Sequence, residues 1–236
     1  MARWFCRAQA RSLVPEAQSP RPKAQSRKPK AVLMLYPVVR PIVWVVMRVF
    51  FRLRVRGARN IPEKGGVVIA SNHQSFLDPM VIAAGAMRPV SFMARDTLFR
   101  RGGFGWLIGH LNAFPVRRGA ADPDALHEAI RRLAAGGVLL VFAEGSRTRD
   151  GGIGRVRSGP ALLAHRAGVP IVPAVIKGAF EAWPRSRKIF RLRRISVRFG
   201  EPIDPPADGE RDSYEGVRAE IQRRLEGMMK EMMNDE

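Results

Sequence analysis

His73 and Asp78 stand five residues apart in the stretch Ser71-Asn72-His73-Gln74-Ser75-Phe76-Leu77-Asp78-Pro79, directly after the apolar run 67–70. Histidine is the side chain that changes charge near neutral pH, and a carboxylate bonded to one ring nitrogen leaves the other as a proton acceptor. Such a pair can remove a proton from a hydroxyl. On one continuous helix a five-residue step sets two side chains about 140° apart, so a loop must bring these two together. Asp78 precedes Pro79, which disfavours helix at Asp78 and suits it to cap a helix starting at Pro79. Taken alone, the pair reads first as a helix cap and a satisfied turn histidine, and the rest of the chain tips the balance.

Two further clusters place arginine just after an apolar segment: Phe114-Pro115-Val116-Arg117-Arg118-Gly119 and Phe142-Ala143-Glu144-Gly145-Ser146-Arg147-Thr148. An arginine fork grips phosphate oxygens through two parallel hydrogen bonds, and Glu144 could accept from a polyol or orient Arg147. Each arginine alone also reads as a solvated surface group. Together, after separate apolar segments and beside His73, they read as one phosphate pocket.

Several other chemistries lack their residues. No serine has glycine two positions before and after it, so the nucleophile elbow is missing. His127-Glu128 is not followed by a second histidine at metal spacing, and there is neither a P-loop nor a G-x-G-x-x-G after a strand. His110, His127 and His165 read as structural. No metal site and no cofactor is expected. Ser75 lies too near His73 in the loop to make a covalent intermediate an attractive route.

The elements that position these residues follow from periodicity. Val67–Ala70, Val90–Ala94, Val138–Ala143, Ile171–Ile176 and Ile195–Phe199 read as strands, several continuously apolar as in sheets covered on both faces. Asp122-Pro123 opens a helix that Gly136-Gly137 stops, and residues 159–167 form another closed by Gly168. In residues 213–233, Val217, Ile221, Leu225, Met228 and Met232 recur at helical steps, with the methionines as packing. Strands alternating with helices predict an α/β fold: a mostly parallel central sheet covered by helices, with an N-terminal membrane-interfacial helical segment. His73 then lies at a strand end, where such folds place their sites.

Three regions are expected: a basic disordered arm (1–30), a membrane-interfacial helical segment (31–53), and one domain over 54–236. The chain carries 41 Lys and Arg against 21 Asp and Glu, a net charge of +20, which points to phosphate-rich partners. The arm alone has eight basic residues and the single acid Glu16. Residues 31–51 are the most apolar stretch, but Arg40 and Arg48 interrupt it, and Pro37 and Pro41 break its helix. A spanning helix needs about 20 apolar residues, and a mid-bilayer arginine costs about 3 kcal/mol. Two short helices lying in the bilayer interface fit better, with Tyr36 and Trp44 at headgroup depth and the arginines reaching for lipid phosphates; a buried core helix or a signal anchor is the alternative. The only cysteine, Cys6, rules out a disulfide framework and fits a cytoplasmic location. Aromatic residues do not interleave with the basic ones as nucleic-acid stacking platforms would, so no nucleic acid is expected.

His73 to Asp78 resembles the H-x-x-x-x-D signature of glycerolipid acyltransferases, the family that includes the lysophosphatidic acid acyltransferases. Arg95 to Gly105 is similar to the family's second block, with Arg95 where lysine is usual; that block runs on to Phe114–Gly119, where its arginine falls on Arg118 and Arg117 replaces a frequent acid. Phe142–Arg147 resembles the F-P-E-G-T-R block, with Ala143 for proline and Ser146 for threonine, and Val169–Ala174 resembles the fourth. The four blocks stand in order, and the resemblance covers roughly residues 54–205. The resemblance implies that His73 is the base and Asp78 its orienter, with Arg95, Arg118, Glu144, Gly145, Ser146 and Arg147 on the substrate-binding side. It also implies transfer of a fatty acyl chain from acyl-CoA or an acyl carrier protein thioester to a lysophospholipid hydroxyl. The acceptor it points to is 1-acylglycerol 3-phosphate, giving phosphatidic acid at an anionic membrane surface on the cytoplasmic face. Glycerol 3-phosphate or another lyso-lipid as acceptor, or a non-catalytic basic membrane-binding protein, are the alternatives.

Overall fold

Aliphatic and β-branched runs such as Val67-Val68-Ile69-Ala70 have no polar face to give to water, so they become strands covered on both sides. The computed structural model describes residues 36–100, 102–117, 122–207 and 210–235. In chain order these form α1 (Tyr36–Phe50), β1 (Arg54–Arg56), a short 3-10 turn (Ala58–Asn60), β2 (Val67–Ser71), α2 (Asp78–Gly85), β3 (Val90–Arg95), α3 (Asp96–Phe99), α4 (Gly102–His110) and β4 (Ala113–Val116). They continue with α5 (Pro123–Ala134), β5 (Val138–Phe142), α6 (Gly159–Ala167), β6 (Ile171–Lys177), α7 (Ala179–Ala182), β7 (Ser196–Phe199) and α8 (Arg211–Asn234).

The strands make one sheet in the order β1-β7-β6-β2-β5-β3-β4. Five of them run parallel, while β7 is antiparallel to β6 and β1 is parallel to β7. Strand alternation sorts the core into two layers. Val67 and Ile69 face α1, α2 and α7 through Met47, Phe51, Val81, Ile82 and Ala179. Val68 and Ala70 face α5, α6 and α8 through Leu133, Leu163, Ile221 and Leu225. This is the α/β architecture expected from the alternating pattern.

Local signals worked where they were strong. Asp122 caps α5 by accepting from the Ala125 amide at 3.3 Å, and Gly168 closes α6 at φ 61°. Met228 and Met232 are buried packing residues of α8. Strands β1 and β4 escaped prediction: β1 is three residues of Arg-Val-Arg, and β4 carries Pro115, which an edge strand tolerates.

The N-terminal segment departs from expectation in three ways. It is one helix, not two, because Pro41 removes a single intrahelical bond near the helix start and the rest continues unbroken. Tyr36 is buried, its hydroxyl accepting from the Val90 amide at 3.1 Å, rather than standing at headgroup depth. Arg40 and Arg48 donate to the carbonyls of Ala86 and Leu53 at 2.6 and 2.8 Å, so both serve the protein's own backbone. Met47 seats α1 on the core while Val38, Ile42, Trp44, Val45, Val49 and Phe50 stay exposed. No described helix is long and apolar enough to cross a membrane. The arm (1–30) lies outside the described residues.

At the entry end of the sheet, Arg88 donates to the carbonyls of Pro62 and Gly65, at 2.5 and 2.8 Å, and to that of Gly136. One guanidinium thus ties the loops leading into β2, β3 and β5.

Candidate active site

The loop leaving β2 is held from both sides before it reaches His73. On one side Asn72 and Ile176 of β6 exchange two hydrogen bonds, Nδ2 to carbonyl at 2.9 Å and amide to Oδ1 at 2.8 Å. On the other, the Ala143 amide after β5 donates to the Ser71 carbonyl at 2.8 Å. His73 itself spans the gap to the β5 loop: its amide donates to Glu144 Oε1 at 3.2 Å, and its carbonyl accepts from Thr148 at 2.8 Å. The imidazole lies flat on Phe142, ring centroids 3.6 Å apart and planes 8° off parallel.

Against this fixed ring stands Asp78. His73 Nδ1 is 2.7 Å from Asp78 Oδ2, and the same oxygen accepts from the amides of Gln74 and Ser75, both at 2.7 Å. Asp78 is wholly buried and His73 is 12% exposed. The expectation that Asp78 caps a helix beginning at Pro79 needs correcting: α2 begins at Asp78, and its carboxylate turns back onto the loop before it. That fold-back is how residues five apart come to face each other. An ionised Asp78 keeps a proton on Nδ1, which directs the imidazole to act through Nε2. Burial pushes the Asp78 carboxyl above its ordinary range, opposed by its bonds to His73 and the two amides.

Glu144 is the second buried acid. Burial raises its pKa, the amides of His73 and Gly154 oppose that rise, and Asp78 and Asp150 add to it. A Cβ on Gly154 would lie 3.0 Å from Glu144 Oε2, so a larger residue here would push that carboxylate by a few tenths of an ångström. Gly145 follows at φ 72°, in the left-handed region, with the Arg157 side chain packed over it. Arg147 stacks its guanidinium 3.6 Å above the Phe76 ring. Glu144, Ser146, Arg147, Arg155, Arg157 and Arg218 line a cleft of about 720 Å³ that adjoins the pair through Glu144, neither His73 nor Asp78 being part of its lining.

Of the residues expected at the site, His73, Asp78 and Glu144 come together, with Gly145, Ser146 and Arg147 on the adjoining turn. Arg95 is exposed at the exit end of β3, two strands from β2. Arg118 lies outside the described residues. Arg117 does not join a phosphate pocket: it pairs with Asp122 and Asp124 at the start of α5, at 3.5 and 3.6 Å. Ser75 is also committed, its hydroxyl donating to the Trp183 carbonyl at 2.7 Å. Sequence reasoning assigned no role to Asn72, Phe142 or Arg157. Asn72 adjoins the first motif and Phe142 opens the third, so both were visible there, whereas Arg157 enters from a loop whose path no local pattern gives. Among the described residues no group of three or more His, Cys, Asp or Glu side chains is placed to hold a metal ion.

A mostly parallel sheet with a histidine–carboxylate pair at a central strand exit is the arrangement of an α/β enzyme able to take a proton from a substrate hydroxyl. The family profile described as Acyltransferase matches residues 52–177, and the chain belongs to that family. A 1-acyl-sn-glycerol-3-phosphate acyltransferase of Pseudomonas aeruginosa is 30% identical over 77% of this chain and 69% of its own length. A chloroplastic enzyme of the same name from Arabidopsis thaliana is 28% identical over 65% of this chain, and the match spans 44% of that relative. The crystal structure of the 1-acyl-sn-glycerophosphate acyltransferase PlsC from Thermotoga maritima superposes with a TM-score of 0.66 at 25% identity, covering 86% of this chain and 85% of that one.

Proposed function

We propose that this protein transfers a fatty acyl chain from a thioester, acyl-CoA or acyl carrier protein, to the free hydroxyl of 1-acylglycerol 3-phosphate, forming phosphatidic acid at the cytoplasmic face of a membrane. The observation that carries this reading is the 2.7 Å contact between His73 Nδ1 and the buried Asp78 carboxylate, at a strand exit beside an arginine-lined cleft. His73 takes the hydroxyl proton at Nε2 while the oxygen attacks the thioester carbonyl. The C–S bond then breaks, the thiolate receives the proton, and an oxygen ester remains. Asp78 positions the ring and stabilises its charged form without itself taking the proton. The engagement of Ser75 with Trp183 supports direct transfer over an acyl-enzyme.

Arg147, steadied on Phe76, suits the acceptor phosphate, and Glu144 orients this loop by holding the His73 and Gly154 amides. Arg118, Arg95, Gly145 and Ser146 complete the substrate side in this proposal. The exposed apolar face of α1 supports work at a bilayer. The test is an assay of purified protein with acyl-CoA and acyl carrier protein thioesters against 1-acylglycerol 3-phosphate, glycerol 3-phosphate and lyso-lipids lacking a terminal phosphate. Phosphatidic acid as the dominant product supports the reading; faster acylation of another acceptor replaces it.

A further inference from the structure

Between α7 and β7 the chain runs through Arg185-Ser186-Arg187-Lys188-Ile189-Phe190-Arg191-Leu192-Arg193-Arg194, six basic residues and no acid. None of the four sequence motifs reaches it. Its apolar side chains do not fold inward: Ile189 is 78%, Leu192 58% and Phe190 49% exposed. Three large apolar groups in water beside six cations are unfavourable for a free surface and favourable for one that meets lipid, where apolar tips enter the acyl boundary and basic heads stay among phosphates.

The loop is built rather than slack. The Arg191 amide donates to the Ala182 carbonyl at 2.7 Å, the Ile195 amide to Phe51 at 2.9 Å, and the Trp183 indole to the Arg187 carbonyl at 3.2 Å. It is also continuous with two other parts of the molecule. Phe190 sits 5.9 Å from Phe51, immediately after α1, and 5.9 Å from Trp183, which is 5.2 Å from Phe76. An aromatic row therefore runs from the end of α1, past this loop, to the ring under Arg147 beside His73. On the other flank Arg187, Arg191, Arg193 and Arg194 line a groove of about 630 Å³ with Lys177, five cations against the acids Asp150 and Glu181.

We propose that residues 185–194 form a second membrane-docking element, which inserts Ile189 and Leu192 into an anionic bilayer and, with α1, sets the site mouth against the lipid surface. The proposal extends the reading of α1 as interfacial. Its charge complements anionic headgroups, and its apolar tips distinguish a bilayer from a soluble polyanion.

The test measures partition of the full chain onto phosphatidylglycerol and phosphatidylcholine vesicles. Replacing Arg187, Lys188, Arg191 and Arg193 by Gln is expected to weaken binding to phosphatidylglycerol at least about tenfold at low salt. The double change Ile189→Ser, Leu192→Ser is expected to lower binding that persists at high salt. Unchanged binding by the double variant overturns insertion, and loss of binding to single-stranded RNA instead of vesicles identifies a polyanion site and overturns the proposal. If the unaltered chain binds no vesicles, the interfacial reading of α1 falls as well; if it binds and both variants equal it, only the loop's role falls. A second measurement avoids any effect on folding: Ile189→Cys in a Cys6→Ser background, labelled with a polarity-sensitive dye. Blue-shifted emission on phosphatidylglycerol vesicles supports insertion, and an unshifted spectrum overturns it.

Discussion

Asn72 and Ile176 are joined by two hydrogen bonds that run in opposite directions between a side chain and a neighbouring strand's backbone, one residue before His73. All the atoms involved are buried, so neither Ile176 group has water to fall back on. Asn72→Ala should therefore destabilise the fold by roughly 2–4 kcal/mol, two buried groups left unbonded. Turnover should fall as well, since His73 loses its anchor on the β6 side. Thermal unfolding and activity of the same preparation check both, and an unchanged midpoint would contradict the anchoring role.

His73→Ala should stay folded and lose at least about 10²-fold in turnover. Asp78→Asn should do the same, because an amide oxygen in the place of Oδ2 can still accept from Gln74 and Ser75 but carries no charge to stabilise the protonated imidazole. Asp78→Ala should in addition lose stability, by about 2 kcal/mol or more, through those two orphaned amides. Comparing Asn and Ala at this position separates the catalytic loss from the structural one.

The pH dependence of stability carries a signature of Glu144. Burial holds its carboxyl above the ordinary 4.5, so folding favours the neutral form. Its contribution is fully present below the ordinary carboxyl range and is lost as pH rises through the raised folded value. Glu144→Gln should thus flatten the pH dependence of the thermal midpoint, the unaltered protein gaining stability relative to the variant on acidification, while activity drops. Midpoints across a pH series read this directly; a variant that loses no ground to the unaltered protein on acidification contradicts it.

Arg147→Lys keeps a charge but removes the flat fork that stacks on Phe76 and can meet two phosphate oxygens. The Michaelis constant for the phosphorylated acceptor should rise about tenfold while that for the thioester barely moves. Phe76→Leu should act in the same direction. An equal loss with an acceptor lacking phosphate points to another role for Arg147.

The arm and α1 should bind bilayers through different forces. Deleting residues 1–30 removes mostly charge, whose reach is about 8 Å at physiological salt. Replacing Ile42, Val45 and Val49 by Ser removes apolar contact without touching Met47, which is buried in the core. Vesicle co-sedimentation over a salt series should show the deletion weakening binding only at low salt and the substitutions weakening it throughout.

The sequence exposed those parts of the fold in which one residue decides alone. Apolar runs declared β2, β5 and β6 because burial on both faces leaves no polar alternative, and Asp122-Pro123 declared α5 because capping is local. His73 and Asp78 were legible as chemistry by type and spacing, but the fold-back of the Asp78 carboxylate onto the Gln74 and Ser75 amides was not, since a proline invites a simpler cap. Arg117 shows the converse failure: type and neighbourhood suggested phosphate, yet Asp122 and Asp124 were nearer. Tyr36 and Arg40 were drawn to the bilayer by composition and to Val90 and Ala86 by tertiary contact, which no window of sequence contains.

Arg88 gathers three entry loops on one guanidinium, so movement of any one is resisted by the other two. The strand registers are thereby fixed from the side remote from His73. The exit loops then vary on a locked chassis: residues 144–158 could be exchanged for the corresponding turn of a relative that keeps the Glu144 and Thr148 bonds to His73, without re-registering β2 against β5. New acceptor preferences can be reached by grafting at that end, whereas even a conservative Arg88→Lys at the other end loosens all three loops together.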